Sequence, residues 1–205
     1  MLKSLFSLFR KKGDRVVRLD GEKCYLQTFS ESDAKNLATL LLNNKHFWST
    51  YEPIHRDDFY TEEAQYKKIL EGIQLLALNR EFSFGIYEKN SDQLVGHISL
   101  YAIKRMPYSS AFVGYSMDEN FVGRGMATEA VKLVVDFAFT SIKLHRVEAY
   151  IAPANIPSIR VVEKAAFVRE GLMRKLLYIN GEWVDHYMYA ILQEDYINKK
   201  NNGAG

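Results

Sequence analysis

Phe82-Ser83-Phe84-Gly85-Ile86-Tyr87 and Leu94-Val95-Gly96-His97-Ile98-Ser99-Leu100 place apolar side chains at nearly every second position, with the turn formers Asn90-Ser91-Asp92 between them. That period predicts a hairpin, which the run Ala111 to Met117 continues as a meander. Cys24 to Phe29 reads as an earlier strand. Between these stretches the period becomes helical: after Ser30 and Ser32, either of which can cap a helix start, Leu37, Leu40 and Leu41 share one face. Thr61-Glu62-Glu63 opens a second helix running to about Asn79. The intervening Asn44 to Tyr60, with Trp48, Tyr51 and Pro53, fits neither period and reads as a loop suited to shaping a pocket.

The second half continues the alternation of elements. From about Ala127, Val131, Val134, Val135 and Ala138 fall on one face of a helix while Leu133 and Phe137 occupy others, so burial on more than one side is expected. Arg146 to Ile151 reads as a strand and Pro157 to Lys164 as a short helix. Phe167 to Ile179 and Trp183 to Leu192 form a closing hairpin through Asn180-Gly181, a pair that accepts the positive φ of tight hairpin turns. The expected class is α/β in the α+β sense, with a central, mostly antiparallel sheet flanked by helices.

Composition narrows the function. With 205 residues, 47% of them hydrophobic and 25% charged, the chain is expected to fold as one domain with a sizeable core. A net charge of +2, carried by scattered Lys and Arg, argues against direct nucleic-acid binding. Cys24 is the single cysteine, which excludes an intrachain disulfide and a cysteine-based zinc site and fits a reducing, cytoplasmic setting. The five His are too dispersed for a recognisable metal site. No run is long enough to span a bilayer. Residues 1–15 read as a basic amphipathic segment. Apolar positions 2, 5, 6 and 9 suggest a short helix within residues 1–12, either packed on the domain or touching a membrane surface. The domain proper is expected over 16–197 and a flexible tail over 198–205.

One feature suggests chemistry. Gly123-Arg124-Gly125 lies between the Ala111 to Met117 strand and the helix from Ala127. Glycines at a strand-to-helix junction let backbone amides approach an anion, and the unpaired amides of the helix start carry partial positive charge. Spacing excludes two familiar cradles: Thr128 stands where a dinucleotide fingerprint needs Gly or Ala, and Met126-Ala127 stand where a Walker loop needs Lys and Ser or Thr.

The order of motifs resembles the GCN5-related N-acetyltransferase superfamily, most closely its RimJ/RimL-type branch of ribosomal-protein N-terminal acetyltransferases. The residues that carry it are Tyr115-Ser116-Met117-Asp118, Gly123-Arg124-Gly125-Met126-Ala127-Thr128-Glu129-Ala130, His145 to Ala149, Asn155-Ile156-Pro157-Ser158-Ile159-Arg160, Glu163 to Phe167, Glu170-Gly171 and Asp185. Three positions depart from the pattern. Val122 precedes the cradle where Gln or Arg is usual, Ala166 replaces a glycine, and Val162 occupies the place of a catalytic Tyr found in many members.

The resemblance implies transfer of an acetyl group from acetyl-CoA, as co-substrate, to a primary amine. Pyrophosphate would rest on the amides of Arg124, Gly125 and Ala127, within a cradle that also contains Val122, Gly123 and Met126. The strand carrying Tyr115 and Met117 would splay from its neighbour to pair with pantetheine, with Gly114 suited to a bulge there. Asn155 is expected on pantetheine and Ser158 near the sulfur as hydrogen-bond donor or proton relay. Both residues also suit an ordinary helix start, and the two readings are compatible. For the base, Glu148 could act through water or be paired to Arg146; Asp118, Glu119 and Glu52 rank behind it. Trp48, Tyr51, Tyr178 and Trp183 either line an acceptor groove or pack. The expected acceptor is a protein N-terminal α-amine, with a small amine such as an aminoglycoside or polyamine as one alternative and a non-catalytic acyl-CoA sensor as another.

Overall fold

Alternating burial organises the sheet. In the computed structural model, which describes residues 6–11 and 14–202, Phe82, Phe84 and Ile86 of one strand and Ile98 and Leu100 of the next are fully buried on a common face. The strands are β1 (Phe6–Lys11), β2 (Asp14–Asp20), β3 (Cys24–Thr28), β4 (Phe82–Glu88), β5 (Leu94–Lys104), β6 (Ser110–Met117), β7 (Arg146–Ile151), β8 (Val168–Ile179) and β9 (Glu182–Leu192). They form one sheet in the order β1-β2-β3-β4-β5-β6-β7-β9-β8. Neighbours are antiparallel except β6 and β7, which pair in parallel over Ser110↔Arg146, Ala111↔Val147 and Phe112↔Glu148 and then diverge. The mostly antiparallel, splayed sheet expected from the sequence is present.

Helices α1 (Ala34–Trp48) and α2 (Glu62–Ala77) bury Leu37, Leu40, Leu41 and Ile69 in a cluster of their own. On the main core, α3 (Met126–Thr140) buries Val131, Val134 and Ala138 together with Phe137, which meets Phe82 edge-on at 5.0 Å. Burial on several sides of α3 is what its sequence predicted. The short α4 (Ile156–Lys164) begins at Asn155, whose Oδ1 accepts the Ser158 N–H at 3.1 Å.

Several readings change. Residues 6–11 form strand β1, in register with β2 from Phe6↔Leu19 to Lys11↔Asp14, not part of a helix. A short isolated helix is marginal in water, whereas β2 offers a backbone edge to pair with; residues 1–5, 12 and 13 lie outside the described residues. The stretch read as a loop from Asn44 is helical to Trp48: Asn44 donates to Leu40 O at 2.9 Å, and Trp48 is buried with its Nε1–H on Met117 O at 2.8 Å. At the other end, 198–202 continue α5 (Gln193–Asn202) instead of starting a tail; residues 203–205 lie outside the described residues. The Tyr196 hydroxyl of α5 bonds Asp136 on α3, and its ring lies 5.3 Å from that of Phe139.

The bulge is also elsewhere. Ser99↔Gly114 is a regular pair, and the irregularity falls on β5 between Tyr101 and Lys104, where Ala102 has φ 50°. At Gly114 a Cβ would stand 3.4 Å from Tyr101 Cε1, an ordinary contact, so nothing there requires glycine. Ala166 has φ 75°, the left-handed conformation for which glycine is the usual residue. Val162 is completely buried, so its side chain contributes packing.

Candidate active site

The cradle is an uncapped helix start. Asp118 caps a 3-10 turn over Glu119–Phe121, Val122 is extended, and Gly123 and Gly125 turn the chain into α3 with φ 75° and 84°. Gly125, the N-cap residue, supplies no side-chain bond, and the first helical bond runs from Glu129 N–H to Gly125 O at 3.1 Å. The amides of Met126, Ala127 and Thr128 therefore have no partner within the helix and face outward, as an anion site requires. By contrast, α2 and α4 are capped by Thr61 and Asn155. Met126 and Val122 contribute through backbone: the Met126 side chain is in the core and that of Val122 is exposed. Arg124 turns away, donating to Asn120 O at 2.8 Å and lying 4.4 Å over the Phe121 ring.

Where β6 and β7 part, a cavity of about 460 Å³ opens, lined among others by Tyr115, Ser116, Ala149, Ile151, Asn155 and Ser158. Asp118 N–H bonds Val95 O on β5 at 2.8 Å. By the alternation of antiparallel ladders, the backbone groups of Tyr115 and Met117 point the other way, into the opening. The Met117 carbonyl is already held by Trp48. The Tyr115 hydroxyl reaches across to α4, 2.7 Å from Ser158 Oγ and 3.1 Å from Ser158 O. Burial pushes the Tyr115 phenol above its ordinary range, with the Ser158 bond opposing, so it stays protonated.

The carboxylates separate clearly. Glu148 is bound by Arg146, whose other guanidinium nitrogens hold Glu170; Arg146 draws the Glu170 carboxyl below its ordinary range. This is the ion-pair alternative, and it leaves Glu148 out of the cavity lining. Asp118 is occupied by Asn120 and Asn44. Glu52 instead lies in the cavity wall, accepting from Ser116 Oγ of β6. Burial raises its pKa, with the Ser116 bond acting in the opposite direction.

The loop bearing Glu52 is fixed from three sides. Tyr51 donates its hydroxyl to Ala154 O at 3.1 Å; Asn180, in the β8–β9 turn, donates to Ser49 O at 2.6 Å and accepts from Ile54 N–H at 3.0 Å. Tyr51 thus lines the cavity, Trp48 packs in the α1–α2 cluster while holding Met117 O, and Tyr178 and Trp183 are exposed and pack against each other at 5.4 Å. Below α1 and α2, a second cavity of about 320 Å³ shares Glu81, His97 and Ser99 with the first and is otherwise largely apolar. His97 Nε2 is buried without a hydrogen-bond partner, and desolvation followed by the Lys68 charge lowers its pKa to about 4.

Residues 23–168, which contain the cradle, the splayed strands and α4, match the family model described as "Acetyltransferase (GNAT) domain". The chain belongs to the GNAT acetyltransferase family. It is 43% identical over 177 residues to the probable N-acetyltransferase YjcK of Bacillus subtilis, a match covering 86% of this chain and 98% of that protein. Two solved GNAT structures superpose closely. Ribosomal-protein-S5-alanine acetyltransferase from Vibrio fischeri gives a TM-score of 0.83 at 32% identity, covering 88% of this chain and 98% of its own. Mycobacterium smegmatis RimJ, in complex with CoA-disulfide, gives 0.80 at 25% identity, with 93% and 88% covered. The protein is an N-acetyltransferase with acetyl-CoA as co-substrate.

The GNAT site fits that co-substrate on its own evidence. Uncapped amides at Met126 to Thr128 suit the phosphates, and the strand edges exposed by the splay suit an amide-bearing pantetheine arm. When bound, the co-substrate supplies an activated acetyl thioester. Of the candidate carboxylates Glu148, Asp118, Glu119 and Glu52, Glu52 is the one in the cavity wall; its sequence signal is a carboxylate beside aromatic residues in the loop after α1. Nothing in the sequence marks Asn180 as a clamp, because its turn role already accounts for it.

Proposed function

We propose that this GNAT enzyme acetylates the N-terminal α-amine of a protein by direct transfer, with Glu52 as the proton acceptor and the Ser158–Tyr115 pair as the proton donor. The observation that carries the reading is the position of Glu52: a half-buried carboxyl held by Ser116 in the wall of the same cavity that Ser158 lines, with burial raising its pKa. Among the sequence candidates Glu148 ranked first, and its pairing to Arg146 supports moving the role to Glu52.

Tyr115 has one proton for two acceptors on Ser158; given to Oγ, it leaves the Ser158 hydroxyl proton available to the leaving sulfur. In the transfer, the amine nitrogen bonds to the acetyl carbonyl carbon and the C–S bond breaks. One amine proton passes to Glu52, the thiolate takes a proton from the Ser158 hydroxyl, and the Glu52 proton returns through solvent to restore Ser158, with Tyr115 protonated throughout. An α-amine, with a pKa of about 8, asks little of such a base, whereas a lysine amine near 10.4 is almost wholly protonated at neutral pH. The likeness to the ribosomal-protein-S5-alanine acetyltransferase supports the same acceptor class. The apolar cavity beyond His97 offers room for the side chains that follow the amine.

The test is a panel of N-terminal peptides and small amines, followed by acceptor-dependent thiol release. Turnover with peptides and not with polyamines or aminoglycosides is expected. Efficient turnover of small amines alone would overturn the acceptor, and acetyl-CoA binding without any thiol release would favour a sensor.

A further inference from the structure

We propose that Lys23, and not the neighbouring Arg124, supplies the cation that holds the pyrophosphate of acetyl-CoA. The residue lies about a hundred positions before the cradle, in the turn between β2 and β3. What brings it there is Glu129, in the first turn of α3. Its carboxylate accepts the backbone N–H groups of Glu22, Lys23 and Cys24 at 2.7, 2.9 and 2.9 Å. Burial works to raise the Glu129 pKa, but these backbone bonds outweigh it and hold the carboxyl below its ordinary range. Gly21 packs so closely that a Cβ would come within 2.6 Å of Glu129 Cδ. From the other side, Lys89 N–H donates to Lys23 O at 3.0 Å and Lys89 Nζ to Gly21 O at 2.7 Å. The turn is therefore fixed on the helix start.

From that anchor the Lys23 side chain extends over the cradle. Its Nζ donates to Arg124 O at 3.0 Å, and the three heavy atoms nearest to a Cβ built on Gly125 all belong to Lys23, the closest being Nζ at 2.9 Å. The Arg124 guanidinium is directed elsewhere, to Asn120 O and the Phe121 ring, with Glu88 3.9 Å away. Glu129 also places a negative charge in the helix turn that must receive an anion. A cation between the two relieves that repulsion. A lysine ammonium is a compact point charge with three donors, able to keep Arg124 O while turning another N–H to a phosphate oxygen.

The experiment is calorimetric titration of CoA and dephospho-CoA into the full-length wild type, Lys23→Gln and Lys23→Arg. Lys35→Gln serves as a control for the same charge change on α1. For Lys23→Gln, a loss of about fivefold to tenfold in affinity is expected for both ligands, with a shallower dependence on salt. Lys23→Arg should recover most of the loss, and Lys35→Gln should match wild type. Unchanged CoA affinity in Lys23→Gln would overturn the proposal. So would a loss confined to CoA, since that would put Lys23 on the 3′-phosphate. Lys23 is exposed, and an unchanged melting temperature would establish that the variants are folded.

Discussion

The Tyr115 hydroxyl lies 2.7 Å from Ser158 Oγ, bridging the strand that opens the sheet and the helix that closes over it. Tyr115 thereby orients the Ser158 hydroxyl as well as burying its own ring. Ser158→Ala should lower kcat by about two orders of magnitude, the range for a general acid, with little change in acetyl-CoA affinity. Tyr115→Phe should cost less, about tenfold, because Ser158 remains but loses its partner. Steady-state rates with calorimetric Kd values check both; an unchanged kcat in Ser158→Ala would remove it from the mechanism.

For Glu52 the pH dependence carries a sign that can be worked out. A carboxyl whose folded pKa is raised binds its proton more tightly in the folded state. Its contribution to stability is therefore fully present below the ordinary value of 4.5 and is lost as pH rises through the folded pKa. Glu52→Gln should be the more stable protein at neutral pH, and denaturant melts at pH 4 and pH 7 should differ less than in wild type. The same replacement should lower kcat about a hundredfold and remove the acidic limb of the kcat/KM profile.

Asn180→Gly keeps a residue at ease with positive φ in the turn while deleting both bonds to the loop. The acceptor KM should rise about fivefold, the scale of one or two exposed hydrogen bonds, and the CoA Kd should stay unchanged. Equal losses for both substrates would mean that Asn180 supports the whole domain and not the acceptor wall.

At Ala166 the chain adopts a conformation that costs an L-residue about 1–2 kcal/mol. Ala166→Gly removes the strain but loosens the unfolded chain, so a net gain of about 0.5–1 kcal/mol is expected. Thermal unfolding should move up by about 2 °C.

How much of this was legible follows from what each signal depends on. The strands β3 to β9 and helices α2 to α4 are local: period-two runs, Thr61 and Asn155 as caps, and Asn180-Gly181 as a turn all act within a few residues. The cradle is local too, because Gly123 and Gly125 are needed for their own backbone. What escaped is long-range. Trp48 ends a helix because Met117 O receives its indole N–H, and β1 is a strand because β2 lies beside it. Glu148 and Glu52 look alike as isolated letters; only Arg146 beside one and Ser116 beside the other separate a structural carboxylate from a candidate base. Lys23 reaches the cradle through Glu129, a contact no spacing rule would suggest.

The parallel pairing of β6 and β7 lasts for three residues, and this makes the two parts of the sheet mechanically unequal. Beyond Phe112 and Glu148 nothing zips one strand to the other, so amides of 115–117 and 149–151 that point into the gap can exchange with solvent hydrogen. A pantetheine arm laid between them acts as a missing strand. Occupancy should therefore be readable as slowed amide exchange on both sides of the gap at once, coupling the two parts before any acceptor arrives.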